Sequence, residues 1–453
     1  MPKFALPSEH LDTSLKQKAR EAVRLGAVWH KANQVRHSWP HWTADAGRFN
    51  SSFNLRHPGN RPMLSICWNT ARGAQALLSA YKLTGDAEAL ETARLALEYV
   101  KTCQMFSPEY ERHRGACFEE TPQTDHIAAR DTVESLQGFI NYYAVTRDPV
   151  ALQRAEAAAD WFTGPYLERE LYPNGYVWIK DNDRGSVNND FSRIMFASAA
   201  MAFLQLDALT GKARYAGKVP AVMDWVIENS LEKDGALKMH DGTDVGHHAV
   251  NSGPLAGCFT NDDGTGVAIV AAARVTGKAK YRDAAERYGN WWLRLNQMPE
   301  THASVPAALL LLLDFYRLTG DKRFVEKSVP YIEKVLAFQC NDAANPGAHG
   351  GFRGHDMTGK RENDYFLNTP GGEIVSHRTT MYAMLALTKA AATEQEWNLA
   401  YSGFGWLGPD DCRAEKTPAV SVSSVHHNRL DVCGRACADL VFGASGRRRQ
   451  LGL

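Results

Sequence analysis

Along most of the chain the apolar residues return every three or four positions rather than every two, a spacing that predicts helices. Leu90, Ala93, Leu97 and Val100 share one face, and further on so do Phe324, Ser328, Tyr331 and Val335. Between such two-faced segments lie others that are small or apolar nearly all round: ARGAQALLSAYKL, FASAAMAFLQLDAL, GTGVAIVAAARV and VPAALLLLLDFYRL. A helix with one polar side lies at a surface, and a helix without one is enclosed. The pattern therefore predicts outer helices alternating with inner ones.

The junctions between them repeat. Leu83-Thr84-Gly85-Asp86 recurs as Leu209-Thr210-Gly211-Lys212, Val275-Thr276-Gly277-Lys278 and Leu318-Thr319-Gly320-Asp321, with a degenerate copy at Val145-Thr146-Arg147-Asp148. Glycine after a helical run takes the left-handed position that ends a helix, and the following Asp can cap the next one and favour its positive end. Each copy is predicted to be a tight turn from an inner helix to an outer one. The shortest interval between copies is one helical hairpin, and the longer ones add roughly twenty residues, always ahead of the inner helix.

With TSLKQKAREAVRLGAVWHKAN at the start and HRTTMYAMLALTKAA at the end, the count comes to twelve helices. The closed arrangement this predicts is all-α, an (α/α)6 barrel: six inner helices wrapped by six outer ones, the first outer helix pairing with the last inner one. An open solenoid is the competing topology. Residues 1–393 are expected to form this toroid. Residues 394–453, rich in Gly, Ser, Cys and Arg, are expected to be an irregular tail.

Composition narrows the partners. The chain has 453 residues, 44% of them hydrophobic, with 51 basic residues against 51 acidic ones. Such a balance implies no field for nucleic acid or an anionic membrane. The opening MPKFALPSEHLDTSLKQKAR has no apolar core of a secretory signal, and VPAALLLLLDF is too short to span a bilayer, so a cytoplasmic location is expected. Cys67, Cys103, Cys117, Cys258, Cys340, Cys412, Cys433 and Cys437 show no zinc or redox spacing. Neither HHNRLDVCGRAC nor the adjacent His247 and His248 fits a metal site. No metal and no cofactor is expected. Trp291 and Trp292, on an outer helix, read as core or as a contact in a homo-oligomer.

If every inner-to-outer turn is short, the long connections gather at the N-terminal ends of the inner helices, and function is expected on that face. The helix N-termini there favour anionic groups. These loops crowd Trp, Tyr, His, Asn, Asp and Arg, as in CFEETPQTDHIAARD and YPNGYVWIKDNDRGSVNNDFSR. That mixture suits a sugar, with aromatic faces for its C–H surfaces and planar polar groups for its hydroxyls.

On this repeat architecture and loop composition, residues 10 to 393 resemble the six-hairpin glycosidase superfamily, whose (α/α)6 toroids include glycoside hydrolases, polysaccharide lyases and sugar epimerases. YVWIKDNDRGSVNNDFSRIMFASAAMA looks like the unsaturated-uronyl hydrolases, and that resemblance implies an acid at an Asp near the start of an inner helix.

Candidate catalytic groups follow from position at inner-helix starts. Asp131, Asp190 and Asp263 are candidate acid, base or nucleophile, and Glu120 lies in the loop before Asp131 beside Glu119. The neighbouring carboxylates Asp262 and Asp263 would push their pKa values apart in a confined site. His302 and His377 are candidate bases. Trp68 and Trp178 are candidate stacking platforms; His126, Asn189 and Asp262 are candidate hydrogen-bonding groups. Arg130, Arg193 and Arg378 would hold a carboxylate, which points to a uronate or another acidic sugar. The leading expectation is a glycoside hydrolase acting on a short acidic oligosaccharide. The alternatives are a lyase or epimerase with a His base and an Arg, and a non-catalytic saccharide-binding scaffold. Each candidate also has a plain structural reading: Asp131 as a helix-dipole partner or an ion pair with Arg130, Asp190 as an N-cap, the tryptophans as core.

Overall fold

A computed structural model describes residues 6–36, 45–55, 64–120, 126–166, 176–178, 184–185, 190–236, 268–269, 272–273, 276–296, 298, 304–354, 373–393 and 396. All lie in one compact unit, residues 1–414, while residues 415–453 form a second unit outside the described residues. Most of the expected tail falls there too.

Eleven α-helices are described. The outer ones are α1 (Thr13–Ala32), α3 (Ala87–Cys103), α5 (Pro149–Trp161), α7 (Val219–Ser230), α8 (Ala279–Arg294) and α10 (Lys322–Ala337). The inner ones are α2 (Cys67–Thr84), α4 (Ala129–Thr146), α6 (Asp190–Thr210), α9 (Ser304–Thr319) and α11 (His377–Ala391). Helical residues at 268–269, 272–273 and 276 occupy the sequence position of the remaining inner helix.

The inner helices are enclosed as their composition predicts. In α4 every residue from Ala129 to Tyr142 is buried, and the five leucines Leu309–Leu313 of α9 are all fully buried. Only a helix contacted on all sides can bury five consecutive leucines, each stabilising by about 1.5–3 kcal/mol relative to exposure. The outer helices bury single stripes: Phe324, Val325, Ser328, Tyr331, Ile332 and Val335 in α10. Trp291 and Trp292 lie in the core.

Neighbouring inner helices pack in ring order, α9 on α11, α11 on α2, α2 on α4 and α4 on α6. Among the described helices, α3, α5, α7 and α10 each pair with the inner helix before them, and α1 pairs with α11. The ring therefore runs through the seam between the first and last hairpins, as a toroid does and an open solenoid does not. No described helix is long and apolar enough to cross a membrane.

The repeated turn works as its residues dictate. Gly85, Gly211, Gly277 and Gly320 all have φ between 66 and 75°. In the degenerate copy Arg147 takes the same left-handed position, φ 60°, the one non-glycine to do so among the described residues. The threonine hydroxyl donates back to the carbonyl four residues earlier, from Thr84 to Ala80 at 2.7 Å and from Thr319 to Phe315 at 2.6 Å. It also accepts from the amide two residues on, Asp86 at 3.2 Å and Asp148 at 3.2 Å. Asp86, Asp148 and Asp321 then cap the next helix by accepting from Glu88, Val150 and Arg323.

The connections ahead of the inner helices carry the strands. β1 (Ser52–Asn54) pairs antiparallel with β5 (Ile374–Ser376), and β2 (His126–Ala128), β3 (Tyr176–Trp178) and β4 (Arg184–Gly185) form a second small sheet. β2 and β5 lead directly into α4 and α11. They fix the first turns of those helices, where the polar candidates lie.

Candidate active site

The start of α2 lacks a side-chain cap of its own, since Ile66 stands at its N-cap. Its first two amides are satisfied from elsewhere: Cys67 N–H donates to the Glu119 carbonyl at 2.8 Å, and Trp68 N–H donates to Asp131 Oδ1 at 2.8 Å. Asp131, in the first turn of α4, thus serves the neighbouring inner helix, and it is 1% exposed. Burial pushes its carboxyl well up, and the Glu119 charge adds to this against the Trp68 amide and Arg130.

Two guanidinium groups meet the same indole. Arg130, from the first turn of α4, lies 3.3 Å from the centroid of the Trp68 ring, and Arg378, from the first turn of α11, lies 5.0 Å from it. Burial first, then the charges of Arg130 and Arg72, pull Arg378 down to about 9. Two like charges on one ring at three helix N-termini make a site of positive potential. Trp68 is buried with arginine against its ring, and is not an open platform for a sugar ring.

The loop before α4 is folded back by a bridge between Phe118 and Ile127. It places His126 Nε2 3.2 Å from Glu119 Oε2. Glu120 turns the other way, with Oε1 2.5 Å from Arg48 Nη2, and Arg48 also binds Asp45 at 2.7 Å. The structure thus brings Glu119, rather than the expected Glu120, to Asp131. Adjacent residues in an irregular loop carry no periodicity that tells them apart.

His377 also departs from expectation. It opens α11 but is fully buried, with Nδ1 3.1 Å from His30 Nε2 and Nε2 2.9 Å from the Asn69 carbonyl, and its ring stacks on Phe49. Burial draws it down to about 4. With both nitrogens engaged inside the wall, it is not placed as a base for a cavity substrate. His30 on α1, absent from any loop motif, is the partner that draws it outward.

A turn deeper, Arg72 and Glu134 form a fully buried ion pair at 2.6 Å between α2 and α4, with Arg72 5.2 Å from the Tyr382 ring of α11. The register of β2 on β3 sets the main chain of Trp178 opposite His126. Asp190 is the first residue of α6, and Arg193 follows in its first turn. The side chains of Trp178, Asp190 and Arg193 lie outside the described residues, as do Asn189, Asp262, Asp263 and His302 altogether.

No family model matches the chain, and no curated protein sequence matches it. Solved structures do. Cellobiose 2-epimerase from Bacillus thermoamylovorans is similar at 12% identity and TM-score 0.56, covering 83% of this chain and 99% of its own. An unsaturated glucuronyl hydrolase specific for heparin is similar at 14% identity and TM-score 0.55, covering 83% and 97%. A GH76 α-mannanase from Bacteroides thetaiotaomicron is similar at 13% identity and TM-score 0.55, covering 85% and 97%. These likenesses are of fold: the chain shares the (α/α)6 toroid of these structures.

Proposed function

We propose that the protein is a carbohydrate-active enzyme, a glycoside hydrolase acting on a short uronate-containing oligosaccharide at the N-terminal face of its inner helices. The observation that carries this reading is Asp131. It is a buried carboxyl biased toward its protonated form, next to Arg130, at the end of the inner helices where the connecting loops gather. A carboxyl whose hold on its proton is strengthened by burial suits a general acid, which must deliver that proton to the departing glycosidic oxygen. Arg130 and Arg378 would hold the sugar carboxylate in front of Trp68. The second carboxylate, as base or nucleophile, is Asp190 or Asp263.

The likeness to a sugar epimerase keeps a second reading in play, with His302 as base and an arginine opposite the developing charge. One experiment separates them: neutral, uronic and unsaturated-uronic oligosaccharides incubated in heavy-oxygen water and weighed by mass spectrometry, with an Asp131→Asn control. Hydrolysis puts one heavy oxygen into a product and dies in the control. Conserved mass supports epimerisation, cleavage without label supports a lyase, and silence across the panel sinks the enzymatic reading in favour of a binding scaffold.

A further inference from the structure

Glu119 lies in the loop before Asp131, and the structure sets the two residues together at the start of α2. Its carbonyl and the Asp131 carboxylate accept consecutive amides at the start of α2, those of Cys67 and Trp68, both at 2.8 Å. This anchors the two residues side by side on one helix end. Its side chain is fixed by His126 Nε2 at 3.2 Å, and is 26% exposed where Asp131 is buried. The alternative carboxylate, Glu120, is drawn away by Arg48.

We propose that Glu119, its carbonyl bound to the amide next to the one that Asp131 caps and its side chain held by His126, is a positioning residue of this site that acts through Asp131. The inference rests on the reading of Asp131 as the proton donor. Asp131 Oδ1 already accepts from Trp68, so the proton sits on Oδ2. In each turnover it leaves on the departing sugar hydroxyl and is replaced from the water whose oxygen enters the other product. The described titratable groups acting on Asp131 are Glu119 and Cys117 from the preceding loop and Arg130 from its own helix. Burial and the Glu119 charge hold the proton, while the Trp68 amide and Arg130 oppose them. Glu119 is the one among them that a single isosteric change can neutralise without touching α2 or α4.

The test reads the proton directly. Infrared titration of the whole protein follows the carboxylic-acid C=O band that is missing in Asp131→Asn. In Glu119→Gln that band should vanish at a pH lower by on the order of one unit, the effect of a nearby like charge. Glu119→Asp, which keeps the charge, should restore most of the shift. On whichever saccharide the panel shows to be turned over, the alkaline limb of the pH–rate profile should move down by the same amount in Glu119→Gln. A band and limb that stay in place overturn the proposal, as does a rate lowered equally at every pH. If no saccharide is turned over, the hydrolase reading fails, while the infrared shift still decides whether Glu119 controls Asp131.

Discussion

The Asp131 carboxylate on α4 closes the open end of α2 by accepting the Trp68 amide at 2.8 Å. One side chain thus does a structural task and stands as the candidate acid, and the two can be separated by substitution. An asparagine oxygen can still accept from Trp68, so Asp131→Asn should leave stability within about 1 kcal/mol of the parent. Turnover should fall by about 10²–10⁴ with the loss of the acid. Asp131→Ala should also cost about 1–2 kcal/mol of stability for the missing cap. Paired thermal melts and rate measurements check both halves.

Arg147 should be the easiest residue to improve. Its left-handed backbone stores about 1 kcal/mol that its glycine counterparts avoid. Glycine's greater freedom in the unfolded chain returns part of that. Arg147→Gly should therefore raise the denaturation midpoint by the equivalent of about 0.5 kcal/mol at unchanged m-value. The mirror change, Gly85→Ala, meets no neighbour within 4 Å and should cost about 1 kcal/mol through backbone strain alone.

The His30–His377 pair predicts sensitivity to acid. In the unfolded chain both imidazoles take up protons near pH 6.5. In the folded chain burial holds His377 down to about 4, and His30 is lowered by burial and by the His377 charge. Below 6.5 the unfolded state binds more protons, so the contribution is whole above that pH and is lost as pH falls toward 4. For His377 alone it reaches about 3 kcal/mol. Urea midpoints between pH 7 and 4.5 should fall less steeply in a His30→Asn, His377→Asn double variant.

Arg72 and Glu134 are both fully buried, so losing one partner strands the other. Arg72→Met should cost about 3–5 kcal/mol, and adding Glu134→Leu should recover most of it, because two desolvated charges disappear together. A double-mutant cycle by denaturant unfolding measures the recovery. A loss in the double variant equal to the sum of the two single losses would mean that the pair has no mutual dependence.

The fold was legible because its signals are local and repeated. The threonine and glycine of each turn, the all-round burial of inner helices and the one-sided stripes of the outer ones are consequences of spacing. Even Arg147 could be placed, since Thr146 and Asp148 keep their roles around it. The site was legible only down to the residue that starts each helix. Which of Glu119 and Glu120 turns inward depends on Arg48, far back in the chain, and on the bridge between Phe118 and Ile127. Whether His377 faces the cavity depends on a histidine of α1 that contacts it across the helix pair. Long-range choices of that sort leave no trace in the period of a helix buried on every side.

The pairing of α1 with α11 also sets a timetable for synthesis. These helices form one wall of the ring, yet they leave the ribosome at opposite ends of the repeat. Until α11 emerges, Leu15, Ala19, Ala22 and Val23 of α1 lack their principal partner, and nothing stands between α2 and α9. A nascent chain halted before His377 is a horseshoe with two apolar rims, the kind of intermediate that chaperones capture. The toroid is completed in a single late event, when the last hairpin arrives to meet the first.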